Sequence, residues 1–123
     1  MTAPAPSAPP FAIADARWLA HHYERTRDEL LFRHVERAAQ TQFPFLTDEY
    51  IGAMPGAITG RAEMVAAAAA YQAPLHFIFH SAFCASTLLA RALDAPGRAM
   101  ALSEPAILND IVGIRRRREG EPK

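Results

Sequence analysis

A short apolar run, a loop and an amphipathic helix occupy residues 74–94, PLHFIFHSAFCASTLLARALD, and this order constrains the fold more than any other part of the chain. Leu75–Phe79 predicts a buried strand, and residues 80–85 predict a loop. Ser86–Ala95 predicts a helix, because its leucines recur at helical spacing. Strand, loop and helix in this order are typical of a phosphate-binding loop, in which the first amides of the helix hold an anion.

The loop departs from the usual GxxxxGK(S/T) pattern of such sites. Ala85 stands at the second glycine position and Ser86 at the lysine position, while Thr87 matches the hydroxyl position. The spacing alone leaves two interpretations open, an anion site and an ordinary strand–turn–helix.

A second strand and a second helix follow in the same order. Ala99–Leu102 predicts a short apolar strand, and residues 103–105, Ser-Glu-Pro, are typical of a helix start with proline in the first turn. The order strand–helix–strand–helix predicts a parallel βαβ unit with a right-handed crossover. The expected fold class is therefore α/β, the start of a P-loop-type parallel βαβα sheet domain behind a mostly helical N-terminal segment. The residues predicted to face inward on its two helices are Leu88, Leu89, Ala92, Leu93, Ile107, Leu108, Ile111 and Val112.

Four segments follow from this pattern. Residues 1–12 are rich in Pro and Ala and predict a disordered tail. Residues 13–73 predict a mostly helical segment, with an α+β arrangement as the alternative. Residues 74–114 form the predicted P-loop βαβα unit, and residues 115–123 form a basic, flexible tail.

Within residues 13–73 the pattern predicts four elements. A helix spans about Ala16 to Arg25 with Asp15 as its N-cap. A strand near Leu30–Val35 precedes a short helix, residues 52–60 form a glycine-containing loop, and Arg61–Tyr71 forms an alanine-rich helix.

Parallel sheets usually contain several strands with helices on both faces. Only two parallel strands are predicted before Lys123, so we expect the chain to be the N-terminal part of a larger α/β domain. The alternative is a complete small α+β protein whose sheet is finished by residues 30–35 or by a second chain.

Charge and cysteine content limit the class of partner and the compartment. Thirteen basic residues balance thirteen acidic ones, which favours neither nucleic acid nor a membrane surface as partner. The single cysteine, Cys84, excludes an intrachain disulfide and fits a reducing compartment. The first residues lack the basic and apolar regions of a signal peptide, and no run has the length of a membrane span. These features predict a soluble, cytoplasmic protein.

Residues 76–111, HFIFHSAFCASTLLARALDAPGRAMALSEPAILNDI, resemble the opening βαβα of sulfotransferase-family P-loop proteins. The similarity is strongest to bacterial sulfotransferase-like sequences in which STLL follows the loop and EP follows the second strand, and it covers about residues 74–113. The loop of that family reads like P-(K/R)-S-G-T-T and lacks the Walker lysine. Residues 82–87 occupy these six positions, and the hydroxyl pair Ser86 and Thr87 matches.

The resemblance implies a site that binds the 5′-phosphosulfate of 3′-phosphoadenosine 5′-phosphosulfate for sulfuryl transfer to an acceptor hydroxyl or amine, without a metal. Glu104 falls where tyrosylprotein-type members have a glutamate resembling a catalytic base. The family binds the donor's 3′-phosphate with an Arg and a Ser on later elements, beyond residue 123, so we expect no turnover by this chain alone. The loop residues implied to bind the donor are Phe83, Cys84, Ala85, Ser86 and Thr87.

Two residues depart from the family's loop. Phe83 replaces the basic residue that neutralises the transferred sulfuryl group, and Ala85 replaces the glycine, which tolerates a positive φ. These departures favour a second function, a non-catalytic binding or interaction module on a degenerate loop scaffold. No feature predicts the acceptor or an oligomeric state.

Four candidate features have simpler interpretations. Glu104 is favoured by the helix dipole at its predicted position, and Cys84 is either a packed thiol or one activated by a helix N-terminus. The arginines at 115–118 are typical of a solvated helix end, with contact to an acidic partner as the alternative. His76 and His80 make only two ligands, and residues 21 and 22, adjacent histidines on the predicted helix, point apart, so no metal site is expected.

Overall fold

The computed structural model describes residues 9–119, so that residues 1–8 of the predicted N-terminal tail and residues 120–123 of the predicted basic tail lie outside it. The chain forms one three-stranded sheet in the order β1-β2-β3, with both strand pairs antiparallel. The strands are β1 (Trp18–Glu24), β2 (Glu29–His34) and β3 (Gly56–Gly60), and the helices are α1 (Arg37–Gln40), α2 (Asp48–Ile51), α3 (Arg61–Ala68), α4 (Ser86–Leu93) and α5 (Ile107–Glu119).

The first strand corrects the prediction of a helix over Ala16–Arg25. Its aromatic and histidine residues suit a pleated, half-buried surface, and pairing with β2 decides the outcome. Asp28 closes the hairpin with a φ of 55°, a left-handed conformation that Asp tolerates better than most residues. Its carboxylate accepts hydrogen bonds from the Tyr23 hydroxyl at 2.8 Å and from Arg61 Nε at 2.6 Å. The hairpin and the start of α3 are thereby joined.

The prediction of a strand near Leu30–Val35 followed by a short helix is confirmed by β2 and α1. The predicted loop over residues 52–60 is wrong in its second half, because β3 pairs there with β2. Gly56 lies opposite Arg33, and a Cβ at Gly56 would lie 2.9 Å from Arg33 Nη1 and 3.1 Å from the Phe32 carbonyl oxygen. This close approach explains a glycine inside a strand.

A small core lies where the sheet meets α1 and α2. Its buried members are Leu19, Val35, Leu46 and Ile51. Half-buried aromatic and methionine side chains pack around them, namely Phe43, Tyr50, Met54 and Met100. Two backbone hydrogen bonds attach the C-terminal half to this core, from Leu46 N–H to the Ser103 carbonyl at 2.9 Å and from Ala106 N–H to the Leu46 carbonyl at 3.2 Å.

The predicted parallel βαβα sheet is wrong, and so is the predicted mostly helical N-terminal segment, because the only described sheet is antiparallel and lies in the N-terminal half. Leu75–Phe79 forms no strand, and Leu75 and Phe79 are exposed. Ala99–Leu102 contributes only an isolated antiparallel bridge between Ala95 and Ala99. An apolar run becomes a strand only beside a partner strand, and the described chain offers none to either segment.

The helices α3 and α4 begin where the sequence predicts them, while α5 begins at Ile107, after the predicted start at residues 103–105, and continues through residues 115–119 of the predicted basic tail. The predicted inward faces are wrong in their burial, because α4 packs on no sheet among the described residues and α5 reaches β1 through Asp110 while most of its apolar side chains stay in solvent. Their large apolar side chains are exposed, namely Leu88, Leu89, Leu93, Leu108, Ile111 and Val112. Within residues 9–119 no helix has the length and apolarity required to cross a membrane.

Candidate functional site

Two groups of polar or loop residues carry the candidate chemistry: the loop before α4 and a histidine–aspartate cluster on the sheet. The loop ends at Ala85, the residue that precedes α4, and Ala85 has a φ of 60°. Phe83 also lies in the left-handed region, at 59°, while the intervening Cys84 does not. The amides at the start of a helix are the groups that hold an anion in a phosphate-binding loop. Ala85 thus adopts the conformation that glycine favours, at the position where the resembled family has glycine.

Glu104 lies beside the first residue of this loop. Its Oε1 lies 3.3 Å from His80 Nε2, and Glu104 itself has a φ of 44°. The candidate catalytic carboxylate therefore reaches the loop through His80. No described contact joins Glu104 to Ser86 or Thr87.

The remaining loop side chains are accessible. Phe83 is fully exposed, and Cys84, a free cysteine, is also exposed. Ser86 and Thr87 are half-buried at the start of α4, and neither hydroxyl has a hydrogen-bond partner among residues 9–119. Both hydroxyls remain available as donors to an anion placed at the helix N-terminus.

The second group forms because β1 contains a bulge. Ala20 pairs with Phe32 and His22 pairs with Leu31, so His21 is an extra residue in the strand. Neighbouring side chains point to opposite faces of a regular strand, but a bulge re-aims one of them. The rings of His21 and His22 accordingly lie 4.4 Å apart between centroids. The prediction that these two side chains point apart on a helix is wrong for this reason.

Asp48, the first residue of α2, connects the two histidines. Its Oδ1 lies 2.8 Å from His21 Nε2, and its Oδ2 lies 2.9 Å from His22 Nε2. On the other side of the second ring, Asp110 Oδ2 of α5 lies 3.0 Å from His22 Nδ1 and accepts the backbone N–H of Tyr23 at 3.0 Å. One strand and two helices thus meet at four side chains, which we call the His–Asp cluster (His21, His22, Asp48 and Asp110).

The electrostatics of the cluster favour opposite charges on neighbouring groups. Hydrogen bonds from His22 and then His21 lower the pKa of Asp48 below its usual 3.8. Burial lowers the pKa of His22, but its hydrogen bonds to Asp110 and Asp48 outweigh that effect, so that the net pKa lies above the ordinary 6.5. Asp48 is therefore a carboxylate across the physiological range, able to accept hydrogen bonds or to serve as a ligand for a cation.

A cleft of about 340 Å³ opens beside the cluster. Its walls include His22 and Asp110 from the cluster and charged side chains from the hairpin, Glu24, Arg27 and Glu29. The outer ring edge of His22 is therefore accessible, while His21 is completely buried.

Asp48 and Asp110 were not singled out by sequence reasoning. Asp48 lies 27 residues from His21, and Asp110 lies 88 residues from His22. No short motif joins residues at such separations. The one local signal is the adjacent histidine pair, and it indicates a shared site only when the bulge is known.

No family model, curated protein or solved structure matches the chain.

Proposed function

We propose that the chain binds the 5′-phosphosulfate of a 3′-phosphoadenosine 5′-phosphosulfate donor at residues 83–87 and serves sulfuryl transfer to an acceptor hydroxyl or amine. One observation carries the proposal: Ala85, at the position of the family's glycine, has a φ of 60° directly before α4. An L-residue avoids that conformation unless the surroundings require it. The parallel sheet of the resembled family plays no part in this argument, which depends on the loop and helix alone.

The proposed roles follow from chemistry at the start of α4. Its first amides and the hydroxyls of Ser86 and Thr87 would donate hydrogen bonds to the donor's phosphosulfate oxygens. Glu104 would take the proton of the acceptor, and His80 would orient Glu104. The acceptor atom attacks sulfur, the bond from sulfur to the 5′-phosphate oxygen breaks, and 3′-phosphoadenosine 5′-phosphate leaves with that electron pair.

Calorimetric titration with 3′-phosphoadenosine 5′-phosphate tests the binding step. We expect saturable binding by the native chain that falls by about tenfold in Thr87→Ala, the change that accompanies the loss of one charge-assisted hydrogen bond. Thr41→Ala is the matched control, because the Thr41 hydroxyl is bonded to the Ala38 carbonyl at the distant end of α1. Equal affinities for the two variants, or no heat of binding by the native chain, would reject the proposal.

Phe83→Arg tests the missing cation separately. If the loop holds an anion, an arginine at this exposed position should tighten binding by up to about 1.5–3 kcal/mol, the value of a hydrogen bond to a charged group. The replacement should leave the affinity unchanged if residues 83–87 do not contact the nucleotide.

The exposed Phe83 favours one alternative function, a non-catalytic binding module. An aromatic side chain there supplies no charge to the sulfuryl group in the transition state. Because no turnover is expected from this chain alone, both functions allow binding of 3′-phosphoadenosine 5′-phosphate without release. Chromatographic detection of 3′-phosphoadenosine 5′-phosphate released from the sulfate donor in the presence of a phenol acceptor would favour transfer over the module.

A further inference from the structure

We propose that His21, His22 and Asp48 bind one divalent transition-metal ion of the Zn²⁺ type, with Asp110 as the residue that positions His22. The proposal goes beyond the phosphosulfate loop and does not depend on it, because the His–Asp cluster shares no residue with residues 80–87. It rests on the proximity of the ligands, their chemistry and an outer carboxylate.

The three candidate ligands lie close together. One ligand atom from each of His21, His22 and Asp48 lies within 4.8 Å of the others. Ligands bonded at 2.0–2.1 Å are separated by about 2.9 Å at a right angle and by about 3.4 Å in a tetrahedron. The two nitrogen–carboxylate separations, 2.8 and 2.9 Å, are hydrogen bonds to different oxygens of Asp48, which an ion between the three groups would replace. A small movement of the exposed Asp48 side chain would complete either geometry.

The ligand types select the class of metal. Two imidazole nitrogens and one carboxylate oxygen suit Zn²⁺, Co²⁺, Ni²⁺ and Fe²⁺, whereas Mg²⁺ and Ca²⁺ prefer oxygen ligands. Three protein ligands leave at least one coordination position for water or substrate. Asp48 is mostly exposed, so that position faces solvent rather than the core.

Asp110 supplies the outer contact that metal-binding histidines usually have. A ligating imidazole commonly donates its other N–H to a carboxylate, which fixes its tautomer and orientation. Asp110 Oδ2 lies 3.0 Å from His22 Nδ1 and is itself held by the Tyr23 amide. A proton on Nδ1 leaves the lone pair of Nε2 directed at the Asp48 side, where the ion is proposed.

His21 is the buried ligand of the proposed site. The residue is completely buried, and its only described hydrogen bond joins Nε2 to Asp48 Oδ1 at 2.8 Å. Its Nδ1 has no hydrogen-bond partner among the described residues, and an ion at Nε2 would not supply one. Burial instead holds the ring in place, so that Nε2 stays directed at Asp48.

Titration with Co²⁺ and Zn²⁺, without nucleotide, tests the site. We expect one Co²⁺ per chain with visible absorption bands, displacement by Zn²⁺, and a rise in the unfolding temperature as Zn²⁺ increases. His22→Gln and Asp48→Asn should each weaken Zn²⁺ binding by more than the loss of an outer contact does, and Asp110→Asn by about 10–100-fold. His76→Gln and Glu49→Gln are the matched controls, since both residues are exposed and lie outside the cluster.

Asp48→Asn decides the result if His22→Gln disturbs folding, because the Asp48 side chain is mostly exposed and lies at the start of a short helix. Circular dichroism of each variant verifies that the fold is retained. Zn²⁺ affinities of Asp48→Asn and Glu49→Gln that agree within error, or a Co²⁺ complex without visible bands, would overturn the proposal.

Discussion

Replacing Asp94 should loosen the attachment of α4 to the N-terminal half. Asp94 is the C-cap of α4, and its Oδ1 accepts a hydrogen bond from Arg37 Nη2 of α1 at 2.6 Å and another from the Ala101 amide at 3.0 Å. The Asp94 side chain is 9% exposed and that of Arg37 is 32% exposed. This ion pair is therefore better protected from water than an ordinary surface pair.

The size of the effect follows from these contacts. A hydrogen bond to a charged group contributes about 1.5–3 kcal/mol, and a neutral one contributes about 1 kcal/mol. Breaking a fully buried pair costs about 3–5 kcal/mol, but Arg37 is one-third exposed and regains water when its partner is lost. We expect Asp94→Ala to lower the free energy of unfolding by about 2–3 kcal/mol. Asp94→Asn keeps an acceptor for Ala101 N–H and should lose about 1–2 kcal/mol.

The effect should also depend on pH. Burial raises the pKa of Asp94, but the Ala101 amide and Arg37 lower it further, so that the folded-state pKa lies below the ordinary 3.8. A depressed carboxyl pKa stabilises the fold above the unfolded-state value, and this stabilisation is lost as the pH falls through the folded-state pKa. The difference between the native chain and Asp94→Asn should therefore be full at pH 7 and shrink below about pH 4.

Urea unfolding followed by circular dichroism measures these differences. Glu36→Gln is the control, because Glu36 forms an exposed ion pair with Arg17 at 3.4 Å and should change stability by less than about 0.5 kcal/mol. A double-mutant cycle with Arg37→Ala should give a coupling energy of about 1–2 kcal/mol. A stability of Asp94→Ala equal to that of Glu36→Gln, or a pH-independent effect of Asp94→Asn, would refute the reasoning.

Two further changes test local structure near the candidate site and the sheet. Ala85→Gly should stabilise the start of α4 by about 0.5–1 kcal/mol. Glycine removes the steric strain of an L-residue at a φ of 60°, and this gain exceeds the backbone entropy that glycine loses on folding. Slower amide hydrogen exchange in α4 would verify the stabilisation. Ala90→Gly, in the interior of α4, should instead destabilise, and equal signs would contradict the explanation. Glu63→Ala should lower stability by about 1 kcal/mol in thermal unfolding. The Glu63 carboxylate caps α3, because it accepts hydrogen bonds from the Gly60 amide at 3.1 Å and from the Thr59 hydroxyl at 3.2 Å. Glu49→Ala is the exposed control, and equal losses of stability in the two variants would exclude the cap.

The helices could be predicted from the sequence because their signals are local. The alanine-rich run of α3, the leucine spacing of α4 and the proline before α5 act within one or two turns, and a helix follows each of these signals. Of the three strands only β2 was predicted, and β1 and β3 were not predictable in this way. Trp18 of β1 pairs with His34 of β2, and whether residues 18–24 extend or coil depends on that distant partner rather than on their own spacing.

The predicted parallel sheet failed for the same physical reason. Leu75–Phe79 has the composition of a buried strand, but composition describes only what a segment gains if a neighbouring strand is present. The described chain places its sheet in the hairpin and β3 instead, and Leu75 and Phe79 stay in solvent. The spacing of the leucines in α4 likewise predicts the helix correctly, but it does not specify which surface covers them, and these leucines are exposed.

The two candidate sites differ in how far sequence could lead to them. The loop at residues 83–87 is formed by consecutive residues. Comparison with the glycine position of the resembled motif was therefore enough to single out Ala85, whose φ is 60°. The His–Asp cluster depends on a bulge that is defined by the register of β1 on β2, and no pattern within β1 reveals that register. Without the bulge His21 and His22 would face opposite sides of the sheet, and Asp48 could contact only one of them. Deletion of Ala20 would let His21 take its place opposite Phe32 and remove the bulge, so it should abolish Co²⁺ and Zn²⁺ binding while leaving all four cluster side chains in the chain.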